Sequence, residues 1–462
     1  MLDRVLQTID AERSETLERL KDFLRIPSVS TKPDHARHMK ECAEWLHWEL
    51  DNIELDARVM PTGGHPIVLA KNVHRTGRPT VLIYGHYDVQ PPEPLELWTT
   101  PPFEPTVRKD ENGYDAIYAR GAVDDKGQVW CHVRALAAWQ ANGGIPVNVT
   151  IFVEGEEEIG SPHLTEFITG HKDELRADIA VISDTNQYAR GLPAITYGLR
   201  GLAYMEITVF GASHDLHSGL YGGTVPNPAN VLCELLAALH ARDGSVAIPG
   251  FYDGVLPLSQ TERGLWARLP FDERTFRNDL GLSDLSGELG FSVLERIWAR
   301  PTCDVNGITS GYQGHGAKTI IPASASAKVS MRLVPNQDPA AVKSAFEAFI
   351  RSRLPAGVRV EFVTHSRAPG IVISIESPAM RIASAALRTG FGVEPVLIRG
   401  GGSIPVVSQI KSSLGIDTLL VGFGLPDDRV HSPNEKFDMD AFFCGTRTAA
   451  ALLHGLGELK VT

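Results

Sequence analysis

The chain has 462 residues, 43% of them hydrophobic and 22% charged, and it carries a formal net charge of −12. This length and apolar content predict two or more domains with large buried cores, while the acidic balance excludes nucleic acid and anionic membranes as the main partners. The five cysteines are scattered without CxxC spacing, and no stretch is apolar enough to be a signal peptide or a bilayer span. We therefore predict a cytoplasmic protein.

The first 200 residues alternate predicted helices with predicted strands. Apolar residues at helical spacing predict one helical region that stops before Pro27, and further helices at 36–50 and 127–139. Short apolar or β-branched runs predict strands at 55–59, 67–73, 81–84, 147–153 and 179–182. This alternation is typical of an α/β domain built on a mostly parallel sheet with helices on both faces.

The pattern changes near residue 201. Alternating polar and apolar side chains predict half-exposed strands at 204–209, 327–333 and 358–363. Helical spacing predicts helices at 228–240 and 339–351. Two helices on one face of a small antiparallel sheet, an α+β arrangement, account for this pattern. The segment at about 245–318 is rich in Gly, Pro and Asp, and periodicity assigns no element to it.

The alternation of helix and strand returns near Ser377. A helix is predicted to about residue 388, a glycine-rich loop at 399–403 and a strand at 418–423. The simplest organisation is a discontinuous α/β domain with an insertion. We predict that residues 1–201 and 375–462 form the α/β domain and that residues 202–374 form the inserted α+β domain.

Potential metal ligands follow four of the apolar strands. His86, the acidic run Glu154-Gly-Glu-Glu-Glu158 and Asp184 come directly after three of them, and His431 follows the fourth through a short loop. A further pair, Asp124-Asp125, precedes a predicted helix. In α/β sheets, ligands bind beyond the carboxyl ends of the strands. Carboxylates gathered there repel one another unless a cation neutralises them, so the pattern indicates a metal site.

The residue types indicate which metals such a site takes. Histidine and carboxylate ligands without thiolate suit zinc and leave manganese or cobalt open. Two histidines and three carboxylates are too many for one tetrahedral zinc with an open position, but they fit two ions if one carboxylate bridges them. Asp88, two residues after His86, is a candidate partner of its imidazole. Neighbouring glutamates allow one to bind metal while the other acts as a general base.

Nine motifs together resemble those of the dinuclear zinc peptidases. They occur over nearly the whole chain in the order GHYDV, RGAVDDKG, EGEEEIGS, ISDT, DLHSG, KTIIP, MRLVP, GGGSIPV and HSPNEK. This superfamily includes acetylornithine deacetylase, aminoacylase and carboxypeptidase G, and the motifs are most similar to those of the carnosinase and cytosolic non-specific dipeptidase branch. The resemblance implies a catalytic α/β domain that binds two divalent metal ions per subunit, zinc first among them.

The resemblance also implies a role for each site residue. Asp124 bridges the metals, His86 and Asp184 complete one site, and Glu158 and His431 complete the other. Glu157 is the general base, Asp88 orients His86, and Glu156 is excluded from both roles. The bond between Asp124 and Asp125 is a candidate cis peptide.

In this family the inserted domain is a lid and a dimerisation domain. The resemblance implies that His217 polarises the scissile carbonyl of a substrate bound to the partner subunit of a homodimer. Thr319, Arg332 and Ser403 match substrate-contacting positions, and Arg332 suits a bidentate grip on a terminal carboxylate. One departure concerns Gly400, since related dipeptidases often have an acidic residue there, which leaves the side-chain preference open.

These observations predict a metallopeptidase that cleaves dipeptides or short peptides with a free carboxyl terminus. An N-acyl amino acid deacylase would use the same dinuclear centre on a different amide bond. An inactive peptide-binding homologue is a more remote alternative, against which the intact Glu157 speaks, because a pure binder needs no unliganded base.

Overall fold

The structure of the protein is a computed structural model that describes residues 1–402 and 404–459. The chain forms two compact units. The first comprises Met1–Tyr197, Ile373–Ile398 and the chain from Pro405 onwards, and the second comprises Gly198–Val372 with Arg399–Ile404. The predicted boundaries at 201 and 375, and the lid and dimerisation role of the insertion, stay predictions.

The described residues form helices throughout both units. In chain order they are α1 (Leu2–Ala11), α2 (Arg13–Arg25), α3 (Ala36–Asn52), α4 (Lys126–Ala141), α5 (Leu164–Gly170), α6 (Ser218–Tyr221), α7 (Pro228–Ala237), α8 (Gln260–Trp266), α9 (Glu273–Asp279), α10 (Val293–Trp298), α11 (Pro339–Arg351), α12 (Pro378–Phe391), α13 (Pro405–Leu414) and α14 (Met439–Leu456). Within this part of the chain, no helix combines the length and the apolar character that a membrane crossing requires.

The strands are mostly short. In chain order they are β1 (Asp56–Met60), β2 (Ile67–Lys71), β3 (Thr80–His86), β4 (Thr106–Lys109), β5 (Asp115–Tyr118), β6 (Asn148–Glu154), β7 (Ile179–Ile182), β8 (Ala194–Leu199), β9 (Gly201–Phe210), β10 (Leu216–His217), β11 (Thr302–Ser310), β12 (Ile320–Ile321), β13 (Ser324–Leu333), β14 (Arg359–Ala368), β15 (Ile371–Val372), β16 (Val396–Gly400), β17 (Thr418–Leu420) and β18 (Lys436–Asp438).

The central sheet of the first unit has a parallel middle and antiparallel flanks. Its strands run in the order β1-β2-β6-β3-β7-β17-β8, and β6, β3, β7 and β17 are mutually parallel. All seven residues of β6 are buried, as the continuous apolar run predicts. Helices α3, α4, α12 and α13 pack on these strands. The predicted α/β class is confirmed, and the parallel strands end at one edge of the sheet.

A separate three-stranded sheet in the first unit, β18-β5-β4, is absent from the sequence predictions. Lys436 of β18 pairs with Tyr118 of β5, although more than 300 residues separate them. The segment that follows β5 leads to Asp124, and the segment before β18 contains His431. This small sheet therefore joins two distant parts of the chain that both carry predicted metal ligands.

The second unit contains a four-stranded antiparallel sheet in the order β11-β13-β9-β14. Alternate residues of β9 are fully buried, and helices α7 and α11 contribute to the same apolar core. This arrangement confirms the predicted small sheet with two helices on one face. Arg332 lies on β13 opposite Leu202 of β9.

The segment left unassigned from the sequence contains α8, α9, α10 and β11. Two of these helices begin with a capping box, in which a serine and the glutamate three residues later exchange hydrogen bonds with each other's backbone N–H groups. The serine–glutamate pairs are Ser259–Glu262 and Ser292–Glu295. The helices are six or seven residues long, which is too short for a hydrophobic period to stand out.

Candidate metal centre

Five predicted ligands converge in the first unit. His86 ends β3, Asp184 follows β7, and Asp124 lies just before α4. Glu158 lies in a short turn after β6, and His431 lies in the loop that leads to β18. Side-chain ligand atoms of His86, Asp124 and Asp184 lie within 4.8 Å of one another, and those of Asp124, Glu158 and His431 do the same. Asp124 belongs to both groups.

The carboxylate of Asp124 lies between the two imidazoles. Its Oδ1 is 3.2 Å from His86 Nε2, and its Oδ2 is 3.0 Å from His431 Nε2. His431 Nε2 is also 3.3 Å from Glu158 Oε2. Each oxygen of Asp124 therefore faces a different histidine, which is the arrangement that a bridging carboxylate needs.

The donor set fits two divalent cations. His86 is fully buried, and its Nε2 makes no well-oriented hydrogen bond in the described part of the chain, although Asp124 Oδ1 lies 3.2 Å away. Burial raises the pKa of Asp184 to about 7, and hydrogen bonds with Asp124 and Glu158 raise the pKa of His431 to about 10. Three carboxylates held this close together carry an excess of negative charge, which a cation relieves. Nitrogen and carboxylate oxygen ligands without sulfur suit zinc, manganese or cobalt.

Glu157 is in neither ligand group. Burial raises the pKa of Glu157 to about 8, although the positive charge of His86 nearby favours the charged form. A carboxylate of this basicity accepts a proton at neutral pH far more readily than an ordinary glutamate does.

Asp88 holds both the histidine and the acidic turn. Its two carboxylate oxygens accept hydrogen bonds from the backbone N–H groups of Glu157 and Glu158, at 3.2 and 3.1 Å. The Nδ1 atom of His86 lies 3.4 Å from Asp88 Oδ1, and closer, at 3.0 Å, to the Asp88 carbonyl oxygen. Asp88 therefore contacts the backbone of the acidic turn as well as His86, and its orienting role stays a prediction.

Glu156 is turned away from the cluster. Its Oε1 accepts a hydrogen bond from the backbone N–H of His65 at 3.2 Å, and its Oε2 lies 2.8 Å from His163 Nδ1. A Cβ atom at Gly64 would lie 1.8 Å from Oε1, so a side chain at this position would displace the Glu156 carboxylate. Of the three consecutive glutamates, Glu157 and Glu158 alone remain available to the cluster.

Comparison with known proteins identifies the family. Residues 82–455 match the peptidase family M20/M25/M40. The chain belongs to this family. The Cys-Gly metallodipeptidase dug1 of Schizosaccharomyces pombe is 32% identical to this M20 chain over 99% of both sequences. The Beta-Ala-His dipeptidase of Homo sapiens is 31% identical over 99% of the chain and 93% of that protein.

A solved structure gives the same result for the fold. The M20 family metallo-carboxypeptidase Sso-CP2 of Sulfolobus solfataricus superposes with a TM-score of 0.86 at 32% identity, covering 96% of this chain and all of that one. The family and branch predicted from the nine motifs are therefore confirmed. These M20 relatives are a metallodipeptidase, a dipeptidase and a metallo-carboxypeptidase, so the predicted enzyme class is confirmed as well.

Three of the predicted substrate-contacting residues of this M20 chain, His217, Thr319 and Arg332, lie in the second unit. His217 and Thr319 are close together, because His217 pairs with Ile320 in the β10–β12 ribbon and the Thr319 carbonyl accepts a hydrogen bond from Ser218 N–H at 3.1 Å. His217 Nδ1 accepts a hydrogen bond from Gly219 N–H at 3.0 Å and so caps α6. Ser403 lies outside the described residues.

Arg332 has a second arginine beside it. Burial, and then the positive charge of Arg332, lower the pKa of Arg200 to about 10. Arg200 Nε in turn donates a hydrogen bond to the Gly401 carbonyl at 2.8 Å. The glycine-rich loop of the M20 chain is therefore held by an arginine close to the predicted carboxylate-binding position.

Sequence reasoning missed the residues that support the M20 ligands. Gln90 Nε2 donates a hydrogen bond to Glu158 Oε2 at 2.7 Å. Asp125 Oδ2 accepts one from His86 N–H at 3.3 Å, and the Asp124–Asp125 peptide bond is cis, as expected. Glu435 forms a buried ion pair with Arg120. Arg120 lies in the RGAVDDKG motif and Glu435 in the HSPNEK motif, so the two motifs are the sequence signal for this ion pair.

Proposed function

We propose that this chain hydrolyses the peptide bond of dipeptides or similarly short peptides with a free C-terminal carboxylate, at a centre of two divalent metal ions. The observation that carries the proposal is the position of Asp124. Its two carboxylate oxygens face two separate groups of ligands, and Glu157 belongs to neither group. The relatives named as dipeptidases for Cys-Gly and β-Ala-His support a substrate of this size.

The ligands divide between the two ions. His86 and Asp184 would hold one ion, Glu158 and His431 would hold the other, and Asp124 would bridge them. We infer zinc as the native metal from the nitrogen and oxygen donors, with manganese or cobalt as alternatives. When bound, such a pair of ions lowers the pKa of water and polarises a carbonyl oxygen.

The protein's own residues move the proton. Glu157 would take it from the attacking water and pass it to the leaving amine, since its carboxylate belongs to neither ligand group. The carboxylate of Asp88 would keep Glu157 in place through the hydrogen bond to its backbone N–H. Neither step requires Glu156, whose oxygens contact His65 and His163.

Substrate recognition is assigned to the second unit. Arg332 would bind the C-terminal carboxylate, with Thr319 and Ser403 as further contacts. We propose that His217 acts on a substrate in the partner subunit of a homodimer. The resemblance of the DLHSG motif supports this role, and the exposure of His217 is compatible with it. The cysteines, which are free among the described residues, suit the proposed location in a reducing cytoplasm.

A substrate panel tests the proposed reaction. The metal-free protein is reloaded with zinc, manganese or cobalt and assayed on free dipeptides, on the same dipeptides amidated at the C-terminus, and on N-acetyl amino acids. We expect the highest kcat/KM for free dipeptides. Faster cleavage of N-acetyl amino acids would replace the proposal with a deacylase, and no turnover of any compound would indicate the inactive homologue.

A further inference from the structure

One buried carboxylate, that of Glu435, holds the loop that ends at Asp124. Glu435 has no exposed surface. Its Oε2 accepts hydrogen bonds from Arg120 Nη1 at 2.7 Å and from Gly121 N–H at 3.0 Å. Its Oε1 accepts hydrogen bonds from the backbone N–H groups of Val123 at 3.0 Å and of Asp124 itself at 3.2 Å. Three backbone donors of one four-residue loop thus converge on one side chain.

The same residue is tied to the second ligand group through the backbone. Glu435 follows His431 by four positions and directly precedes β18. Its carbonyl oxygen accepts a hydrogen bond from Ala119 N–H at 3.2 Å, so its backbone also contacts the segment that leads to Asp124. Glu435 therefore links the loop of His431, a ligand of one group, to the loop of Asp124, the ligand that both groups share.

We infer that Glu435 is a positioning residue of the metal centre, which fixes the backbone of Asp124 so that each carboxylate oxygen faces one metal site. The inference rests on the proposed function, because it assumes that the two ligand groups bind metal ions. Hydrogen bonds to a charged carboxylate are the strong ones, and four of them restrict the loop in several directions. Replacing a residue that hydrogen-bonds to a metal ligand usually weakens the affinity for the metal.

A second buried carboxylate in the same segment provides the matched control. Asp428 is also fully buried and also paired with a cation, since it accepts hydrogen bonds from Lys436 Nζ at 2.8 Å and from Leu425 N–H at 2.6 Å. None of its hydrogen bonds in the described part of the chain goes to residues 120–124. Replacing Asp428 therefore disturbs the same segment, at equal burial, without removing an acceptor from the loop of Asp124.

The test compares Glu435→Gln with Asp428→Asn in the full-length protein. An amide in place of the carboxylate turns one acceptor into a donor facing other donors. We expect Glu435→Gln to bind zinc about 10- to 100-fold more weakly than the wild type. Its cobalt-loaded form should have an altered visible absorption spectrum, and its activity should rise again when excess metal is added. Asp428→Asn should unfold at a lower temperature but keep the wild-type metal affinity and cobalt spectrum.

Each other outcome is informative. Equal metal affinity in Glu435→Gln and the wild type, or equal losses in the two variants, would overturn the inference while leaving the proposed function intact. A wild-type protein that binds no metal would instead refute the proposed function. If Glu435→Gln does not fold, Glu435→Asp carries the same expectation, since it keeps the charge beside Arg120 but withdraws the oxygens by one methylene. Failure of both to fold, where Asp428→Asn folds, would assign Glu435 to the fold alone.

Discussion

At the residue scale, the proposed chemistry divides roles between two adjacent glutamates. Glu158 Oε2 lies beside His431 and receives a hydrogen bond from Gln90, whereas Glu157 belongs to neither ligand group and has its pKa raised to about 8 by burial. The proposed ligand and the proposed base are thus adjacent in the chain, within one tight turn.

Glutamine substitutions separate these roles. Glu157→Gln should retain both metal ions and lose turnover by about 100- to 10,000-fold, the usual contribution of a general base. Glu158→Gln should instead lose metal. Metal content measured by mass spectrometry and kcat measured with excess metal distinguish the two. Glu156→Gln is the matched control within the same run and should change neither value. Metal loss in Glu157→Gln with retention in Glu158→Gln would contradict the assignment.

The predicted ligands could be found from the sequence, whereas the residues that hydrogen-bond to them could not. His86, Asp184 and the acidic run stand directly after apolar strands, so pattern alone places them at one sheet edge. The residues that support the ligands follow no comparable sequence pattern. Arg120 and Glu435 are 315 positions apart, and a single charged residue gives no period from which its burial can be recognised. Folding alone brings them together.

At the element scale, helix α4 begins two residues after Asp124 and packs against β3, the strand that ends at His86. Its His132 is buried, with Nε2 2.8 Å from Ser183 Oγ, and that hydroxyl donates to the Val421 carbonyl at 2.7 Å. This contact connects α4 to the ends of β7 and β17, next to Asp184. Burial lowers the pKa of His132 to about 4.

The lowered pKa makes part of the stability depend on pH. The unfolded chain binds a proton on His132 below about pH 6.5, while the folded chain does so only near pH 4, so stability falls as the pH drops through this window. The full difference of about 2.5 pKa units corresponds to about 3 kcal/mol of unfolding free energy. In His132→Gln, denaturant unfolding between pH 4 and 6.5 should show a smaller pH slope. An unchanged slope would mean that the pKa of His132 is the same in the folded and the unfolded chain.

Element prediction succeeded where the apolar pattern was distinct. The predicted helix 339–351 coincides with α11, whose buried residues recur at helical spacing, and the predicted strand 179–182 coincides with β7, a continuous apolar run that is buried throughout. Strands β4, β5 and β18 have three or four residues each, too few to establish an alternation. Helices α8 and α10 were missed although both begin with the S-x-x-E capping pattern, which is a better guide than periodicity for short helices.

At the scale of the whole molecule, the five predicted metal ligands belong to the first unit, and the described residues predicted to contact substrate belong to the second.

If His217 acts in a partner subunit, His217→Ala and Glu157→Gln should each be nearly inactive alone. Co-expressed, they should form heterodimers in which one of the two sites has both residues intact. Random mixing makes about half of the dimers mixed, so about a quarter of wild-type activity should return. No recovery, with heterodimers confirmed by native mass spectrometry, would contradict action across subunits.

The measurement that tests the central claim most directly is a zinc titration of the metal-free protein. The five ligands come from separate elements around large cores, so chelation should leave the protein folded, unlike a zinc finger. We predict an unchanged circular dichroism spectrum after chelation, loss of dipeptide hydrolysis, and full recovery as two zinc ions bind per chain. Full activity after exhaustive chelation, or saturation of both binding and activity at one ion, would contradict the account.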